Sequence, residues 1–290
     1  MTDKFLSEDF VKRLLAVVSA DRGGRGVSKL SEPLEWQNAA AKFSVLKNIA
    51  VVSGFYVMDA NAPETDGPSG AVVLARAYLK AGRRSEVWTD APCIEVMRSA
   101  ARALSYPEEF VNIAPRSLKD TNIDGLIFTE RVGRAADGRY YNFKREDMSG
   151  VSAPLDGFCY EAKRFGIPTL GIGDGGNETG MGKLSDKLKY LLPDYAACIS
   201  EVPTDYVFAV DVSNWGAYAF SAMLSHLWGK WVGIDTAEEM AVLKAITENG
   251  AVDGITKLSC CTVDGFEIDI QNAIISELHD IYEKQCRVLR

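Results

Sequence analysis

The sequence has no apolar stretch long enough to cross a membrane, no pair of cysteines at C-x-x-C spacing, and no basic cluster interleaved with aromatic residues. Without such a stretch we expect no membrane span. The six cysteines indicate neither a zinc knuckle nor a disulfide framework, so we expect them to be reduced and structural. Forty acidic against 32 basic residues give a formal charge of −8 and a pI near 5.0, which disfavours nucleic acid as a partner.

The N-terminal segment, MTDKFLSEDFVKRLLAVV, is too charged for a secretory signal. A chain of 290 residues with 47% hydrophobic content can bury a large core. These features predict a protein of the cytoplasm whose partners are small molecules or other subunits.

The pattern of apolar residues predicts an α/β fold, with a mostly parallel sheet flanked by helices on both faces. Residues 1–47 have helical spacing and are predicted to form a helical N-terminal extension, interrupted by the glycine- and arginine-containing turn Asp21 to Gly26. Residues 48–290 alternate strand and helix without a linker and are predicted to form one large domain. Its last part is predicted as the helix Thr236 to Thr247, the strand Leu258 to Val263 and the helix Ile268 to Lys284.

The most informative segment is Ile167 to Leu184, IPTLGIGDGGNETGMGKL, in which a short apolar run leads into six glycines. Glycine at this density weakens helices and strands, so the segment is interpreted as a loop that fits closely around a ligand. The backbone N–H groups around Gly175 and Gly176 could bind a carboxylate or phosphate. A helix beginning near Gly176 would place Asp174 and Glu178 close to one bound cation.

Two nucleotide-binding motifs offer alternatives to this interpretation. Gly171, Gly173 and Gly176 satisfy the spacing G-x-G-x-x-G, but Asp174 and Glu178 would place carboxylates where a pyrophosphate should lie. A P-loop fits less well because it requires glycine at position 177 and serine or threonine at position 184. We therefore expect no nucleotide cofactor.

Polar side chains follow four of the predicted strands. In a parallel α/β sheet ligands bind beyond the carboxyl ends of the strands, so these loops can converge on one pocket. The two histidines lie within helical patterns, and a metal site would therefore consist of oxygen ligands, which suit Mg²⁺ or Mn²⁺. Besides the glycine loop, the polar residues after the strands are Asp59, Glu64, Asp66, Glu130, Arg131, Arg134, Asp211, Ser213 and Asn214.

Some of these side chains have a purely structural alternative. Asp66 and Ser69 could cap the helix that begins near Gly70, and Ser213 or Asn214 could cap the helix that follows Val212. Arg131 could form an ion pair of little consequence, but an arginine directly after a buried strand is well placed to bind a carboxylate with two hydrogen bonds.

Five motifs stand out along the chain. They are ETDGPSGA (Glu64 to Ala71), TERVGRAADGRYYN (Thr129 to Asn142), GIGDGGNETGMGK (Gly171 to Lys183), SNWGAYA (Ser213 to Ala219) and TVDG (Thr262 to Gly265). Together they resemble the D-glutamate cyclase C-terminal domain family, over most of the chain from about residue 48. The resemblance implies conversion of D-glutamate to 5-oxo-D-proline with loss of water, and a substrate that is an acidic amino acid. The enzyme that gives the family its name also carries a hydro-lyase-like domain, so we expect a homo-oligomer or such a companion domain on another chain.

For the cyclase chemistry, Asp174 or Glu178 would take a proton from the substrate ammonium, and Arg131 would hold its α-carboxylate. The N–H groups around Gly175 and Gly176 would stabilise the oxyanion.

The remaining predicted roles are orientation and metal binding. Asn177, Ser213 and Asn214 would orient the substrate, and Mn²⁺ or Mg²⁺ held by Glu64, Asp66 and Asp174 would act as a Lewis acid. The family is also similar in fold to the manganese-dependent DHH phosphoesterases. A metal-dependent phosphoesterase and a non-catalytic amino-acid-binding protein therefore stay open as alternatives.

Overall fold

Six parallel strands form the central sheet of the computed structural model, which describes residues 6–288. Counted in chain order, these strands lie side by side as 3-2-1-4-5-6, so the order reverses between the first and the fourth strand. Ligands of such doubly wound sheets bind at this reversal, beyond the carboxyl ends of the strands. The strands are β1 (Asn48–Ser53), β4 (Arg84–Thr89), β5 (Val111–Ile113), β6 (Gly125–Thr129), β7 (Thr169–Gly173) and β8 (Tyr206–Ala209); β2 (Tyr56–Val57) and β3 (Ala62–Pro63) form a separate antiparallel pair.

Helices cover both faces of the sheet, which confirms the predicted fold class. One face packs against α3 and α7, and the other packs against α5 and neighbouring short turns. No helix within residues 6–288 is both long and apolar enough to span a bilayer. The helices are α1 (Glu8–Val18), α2 (Pro33–Ser44), α3 (Pro68–Lys80), α4 (Ile94–Ala103), α5 (Phe158–Phe165), α6 (Ser185–Leu191), α7 (Ser213–Trp228), α8 (Thr236–Glu248) and α9 (Ile268–Val288).

The first two helices share the main hydrophobic core with the sheet. Helix α1 contacts α7 and α9, and α2 contacts α7 and β8. The rings of Trp36 on α2 and Phe208 on β8 stack in parallel with their centroids 3.7 Å apart. Large aromatic contacts of this kind contribute much of the apolar burial in a core.

The predicted strand Leu258 to Val263 is wrong. Residues 258–261 are bends, and an isolated bridge joins Val263 to Phe266. The N–H groups of Cys260 and Thr262 donate to the carbonyl oxygens two residues before them, and the N–H group of Val263 donates to the carbonyl oxygen of Phe266. These backbone groups are therefore satisfied locally and need no neighbouring strand.

Helices α3 and α7 approach each other closely where they begin. A Cβ atom at Gly70 would lie 2.9 Å from both the Ala217 Cβ and the Asn214 Oδ1 atoms. Any residue larger than glycine would therefore push the two helices apart. The contact between the two helices thus requires the second glycine of ETDGPSGA, Gly70.

We predict that Gly70→Ala lowers the free energy of unfolding by about 1–3 kcal/mol, the usual cost of overpacking a core. Urea denaturation measures the change. Gly157→Ala is the matched control, because a Cβ atom there meets nothing within 4 Å and the backbone is already helical. Equal stability of Gly70→Ala and wild type would show that the helices can separate without cost.

Candidate active site

Three buried carboxylates meet where the strand order reverses. Asp66 precedes α3 in the connection that follows β1, Glu130 directly follows β6, and Asp174 directly follows β7. Oxygen atoms of all three lie within 4.8 Å of one another. The topology of the sheet thus brings together acidic residues that are spread over more than 100 positions of the chain.

Two of these carboxylates bind the N-terminus of α7. The N–H group of Ser213 donates to Asp66 Oδ2 at 2.9 Å and to Asp174 Oδ2 at 3.2 Å, and the N–H group of Asn214 donates to Asp66 Oδ1 at 2.8 Å. The free N–H groups and the dipole of a 16-residue helix favour negative charge at this position.

The side chain of Asn214 in turn caps the N-terminus of α3. Its Oδ1 atom accepts hydrogen bonds from the N–H groups of Gly67 at 3.0 Å and Gly70 at 2.7 Å, at the start of α3. Asp66, two residues before α3, therefore caps α7, and Asn214 on α7 caps α3. The sequence predicts caps on the residues' own helices. Asp66 does accept from the N–H group of Gly67 at 2.9 Å, but both side chains also bind the start of the other helix, which the sequence does not reveal.

Glu130 is held in an unusual backbone conformation. Its φ of 42° lies in the left-handed region, which costs energy for any residue other than glycine. The Ser213 hydroxyl donates to Glu130 Oε2 at 2.7 Å. Strain at a buried acidic residue is typical of functional sites.

Burial and mutual repulsion raise the pKa values of these acids. Burial raises the pKa of Asp66 to about 7, and the charge of Asp264 adds to the effect. Burial likewise raises the pKa of Glu130 and of Asp174 well above the ordinary range, and Arg25 partly opposes the rise for Asp174. The cluster therefore favours a proton or another cation close to neutral pH.

Glu178 has its carboxylate inside the glycine loop. Its Oε1 atom accepts from the N–H groups of Asp174 at 3.0 Å and Gly175 at 2.6 Å, and its Oε2 atom accepts from the N–H group of Gly176 at 2.8 Å. No helix begins near Gly176, so that expectation is wrong, because the side chain binds the N–H groups that would have opened one. The N–H groups predicted to stabilise an oxyanion are directed at Glu178.

Arg25 lies beside the acidic cluster and is absent from the site residues predicted from the sequence. Its guanidinium lies 2.6 Å from Asp174 Oδ1 and 2.9 Å from Asp264 Oδ2. Burial alone would lower the pKa of Arg25, but the charges of these carboxylates raise it well above its ordinary value. The ring of Phe143 lies against the guanidinium, with its centroid 5.4 Å away.

The turn that carries Arg25 is fixed by Asp211, the second residue after β8. Its carboxylate accepts hydrogen bonds from the N–H groups of Ala20, Asp21 and Arg22 at 2.8–3.2 Å. The sequence does contain one sign of this role. Arg25 stands in a glycine-containing turn, where no helix accounts for the presence of an arginine.

Arg131 does not contact the acidic cluster but pairs with a different carboxylate. Its buried guanidinium pairs with Asp90 at 2.7 Å and donates to the carbonyl oxygens of Gly54 and Ala153. It does not border the cavity described below. Its placement therefore gives no support to the predicted contact with a substrate carboxylate.

A cavity of about 310 Å³ opens beside the acidic cluster. Its volume is at the lower end of the range for small-molecule sites. Of the residues predicted from the sequence, Glu64, Asp174, Gly175, Asn177 and Glu178 border it, whereas Asp66, Arg131, Gly176, Ser213 and Asn214 do not. The other residues that border it include Arg25, Phe55, Tyr56, Asp59, Glu130, Phe143, Lys144, Gly254, Lys257 and Asp264.

Comparison with known proteins identifies the family. The family described as "D-glutamate cyclase-like, C-terminal" matches residues 14–279. The chain belongs to this family. The human protein "D-glutamate cyclase, mitochondrial" is 32% identical over 239 residues, which cover 74% of this chain and 38% of the human protein. The family predicted from the motifs is thereby confirmed, and the chain spans well under half the length of this relative.

Among solved structures, an exopolyphosphatase-related protein from Bacteroides fragilis aligns over 88% of this chain and 61% of that protein, with 13% sequence identity and a TM-score of 0.36.

The group in this member of the family that could hold a metal ion is Asp66, Glu130 and Asp174. Carboxylate oxygens are the ligands that Mg²⁺ and Mn²⁺ prefer, and a cation would offset the repulsion among these acids. The chemistry of the site therefore fits a divalent ion. Glu64, predicted as a ligand, is not in the group, and Glu130 takes its place because it directly follows the strand beside β1.

We predict that Glu178→Gln lowers the free energy of unfolding by about 1–3 kcal/mol, because an amide cannot accept from all three N–H groups and leaves at least one unsatisfied. Urea denaturation measures this, with Glu95→Gln on the surface of α4 as control. Wild-type stability combined with lost activity would instead assign Glu178 to the chemistry.

Proposed function

We propose that the cavity binds D-glutamate and that the protein converts it to 5-oxo-D-proline and water. The observation that carries the proposal is the family membership, together with a cavity in which a guanidinium faces buried carboxylates. A cavity of about 310 Å³ suits a molecule the size of an amino acid. The activity is a proposal because the relative named for it is more than twice as long as the matched region.

The reaction makes defined demands on a site. The α-amine attacks the carbon of the γ-carboxyl group, so a C–N bond forms and a C–O bond breaks. The nitrogen loses two protons, one from the ammonium before the attack and one as the amide forms, and the departing oxygen gains two protons to leave as water. A site for this reaction must fold the substrate, accept protons from the nitrogen and return them to the departing oxygen.

Arg25 and Asp174 are the residues that we propose for these tasks. Arg25 would bind one carboxylate of the substrate, since its guanidinium borders the cavity and its planar fork matches a carboxylate. Asp174 would accept the proton from the ammonium, because it borders the same cavity and burial raises its pKa. Glu178, with three N–H donors on its carboxylate, would keep the loop in shape.

A divalent ion fits this scheme. Asp66, Glu130 and Asp174 would hold Mn²⁺ or Mg²⁺, which when bound supplies a Lewis acid for the carboxyl oxygen. The same acidic cluster supports a second candidate, a metal-dependent phosphoesterase, in which Arg25 would bind the phosphate.

The first test is turnover. We expect the purified protein to form 5-oxo-D-proline from D-glutamate above the spontaneous background, as measured by chiral chromatography with D- and L-glutamate, with and without Mn²⁺. Asp174→Asn should reduce the rate by at least about 100-fold, because a positioned proton acceptor contributes about 10²- to 10⁴-fold.

Asp280→Asn, on the exposed surface of α9, is the matched control for this substitution. Failure of folded wild-type protein to form product, together with metal-stimulated release of phosphate from simple esters, would favour the phosphoesterase.

The second test separates the two arginines. We expect Arg25→Lys to raise the KM for D-glutamate by about tenfold or more, since lysine cannot form the two-pronged contact. Arg131→Lys should leave KM unchanged and lower the thermal midpoint, because it disrupts a buried ion pair. Steady-state kinetics and thermal denaturation of both variants test these two roles. A raised KM only in Arg131→Lys would contradict the assignment of Arg25 to the substrate.

A further inference from the structure

Glu64 borders the cavity with a buried carboxylate that no group in residues 6–288 pairs with. Its residue is 8% exposed, and neither a hydrogen bond nor an ion pair reaches its side chain. Its backbone is firmly held, since its N–H group donates to the Phe55 carbonyl at 3.0 Å and its chain segment pairs with Val252. A Cβ atom at Gly254 would lie 1.5 Å from Glu64 Oε1, so the carboxylate lies directly on that glycine.

The other acids that border the cavity differ from Glu64 in this respect. Each has a donor or a cation supplied by the described part of the chain. Lys257, which borders the same cavity, donates to the carbonyl oxygen of Gly254 and not to Glu64. The partners are Lys144 for Asp59, Ser213 for Glu130, Arg25 for Asp174 and Asp264, and three N–H groups for Glu178.

An unpaired buried carboxylate is costly, because it loses its hydration and gains nothing in return. A rigid backbone that nevertheless keeps such a group at a cavity wall suits a ligand that brings the missing partner. The carboxylate needs a compact cation with N–H donors. A primary ammonium group meets that need, and Arg25 on the same cavity offers a site for the carboxylate of the same molecule.

We propose that Glu64 is the binding residue for the ammonium group of the ligand and makes the cavity selective for amino acids over dicarboxylic acids. In naming D-glutamate as the ligand, this inference rests on the proposed function. Glu64 is thereby a specificity-determining residue, separate from the acids that could hold a metal.

The test measures binding to the full chain by calorimetry, with D-glutamate, glutarate and 4-aminobutyrate as probes. Glutarate is glutamate without its amine, and 4-aminobutyrate keeps an amine and one carboxylate. We expect wild type to prefer D-glutamate over glutarate by about 10- to 100-fold. In Glu64→Gln the preference should fall to near unity, because the affinity for D-glutamate drops and that for glutarate does not.

Two controls accompany this substitution. Asp59→Asn removes a charge at the same cavity that Lys144 already neutralises, and should change both affinities together. The thermal midpoint of Glu64→Gln should not fall below that of wild type, because the substitution removes an unpaired buried charge and keeps the shape of the side chain.

The outcomes separate this inference from the proposed function. Retention of the wild-type preference in Glu64→Gln would overturn the ammonium site. Glu64-dependent binding of D-glutamate or 4-aminobutyrate without formation of 5-oxoproline would support the ammonium site and defeat the cyclase. Wild-type protein that binds neither D-glutamate nor 4-aminobutyrate would overturn the ammonium site and the cyclase together, because turnover requires binding.

Discussion

Helices α3 and α7 begin side by side where the strand order reverses, and each is capped by a side chain from the other. Asp66 accepts the first N–H groups of α7, and Asn214 accepts those of α3. The exchange fixes both helix ends relative to the sheet. The remaining acids of the site, Glu130 and Asp174, then receive the hydroxyl and the N–H group of Ser213, so they depend on the same arrangement.

The site tolerates several carboxylates close together because N–H groups and a guanidinium nearby offset part of their negative charge. The N-terminus of α7 presents its positive end to Asp66 and Asp174, and the turn held by Asp211 brings the guanidinium of Arg25 to Asp174. The cluster still holds more acid than base, so the pKa values of its members rise. That surplus makes the site suited to cations.

The loops that meet at one edge of the sheet could be predicted from the sequence, because topology alone places the loops after parallel strands there. The partners of buried groups could not, because spacing does not reveal which way a side chain points once a strand has ended. Arg131 and Glu130 are neighbours after β6, yet Glu130 faces the cavity and Arg131 turns to Asp90. Arg25 comes from a turn near the N-terminus, and only the three-dimensional contact with Asp174 reveals it.

The N–H groups of the glycine loop bind the carboxylate of a residue in the same loop, Glu178. A doubly wound sheet with a glycine-rich turn is the usual setting for a phosphate, which binds the exposed N–H groups of that turn. Here a carboxylate tethered two to four residues away already fills the place, and a tethered group acts at an effective concentration that a free ligand rarely matches. The loop thus fills its own anion site, and these three N–H groups are not available to a bound phosphate.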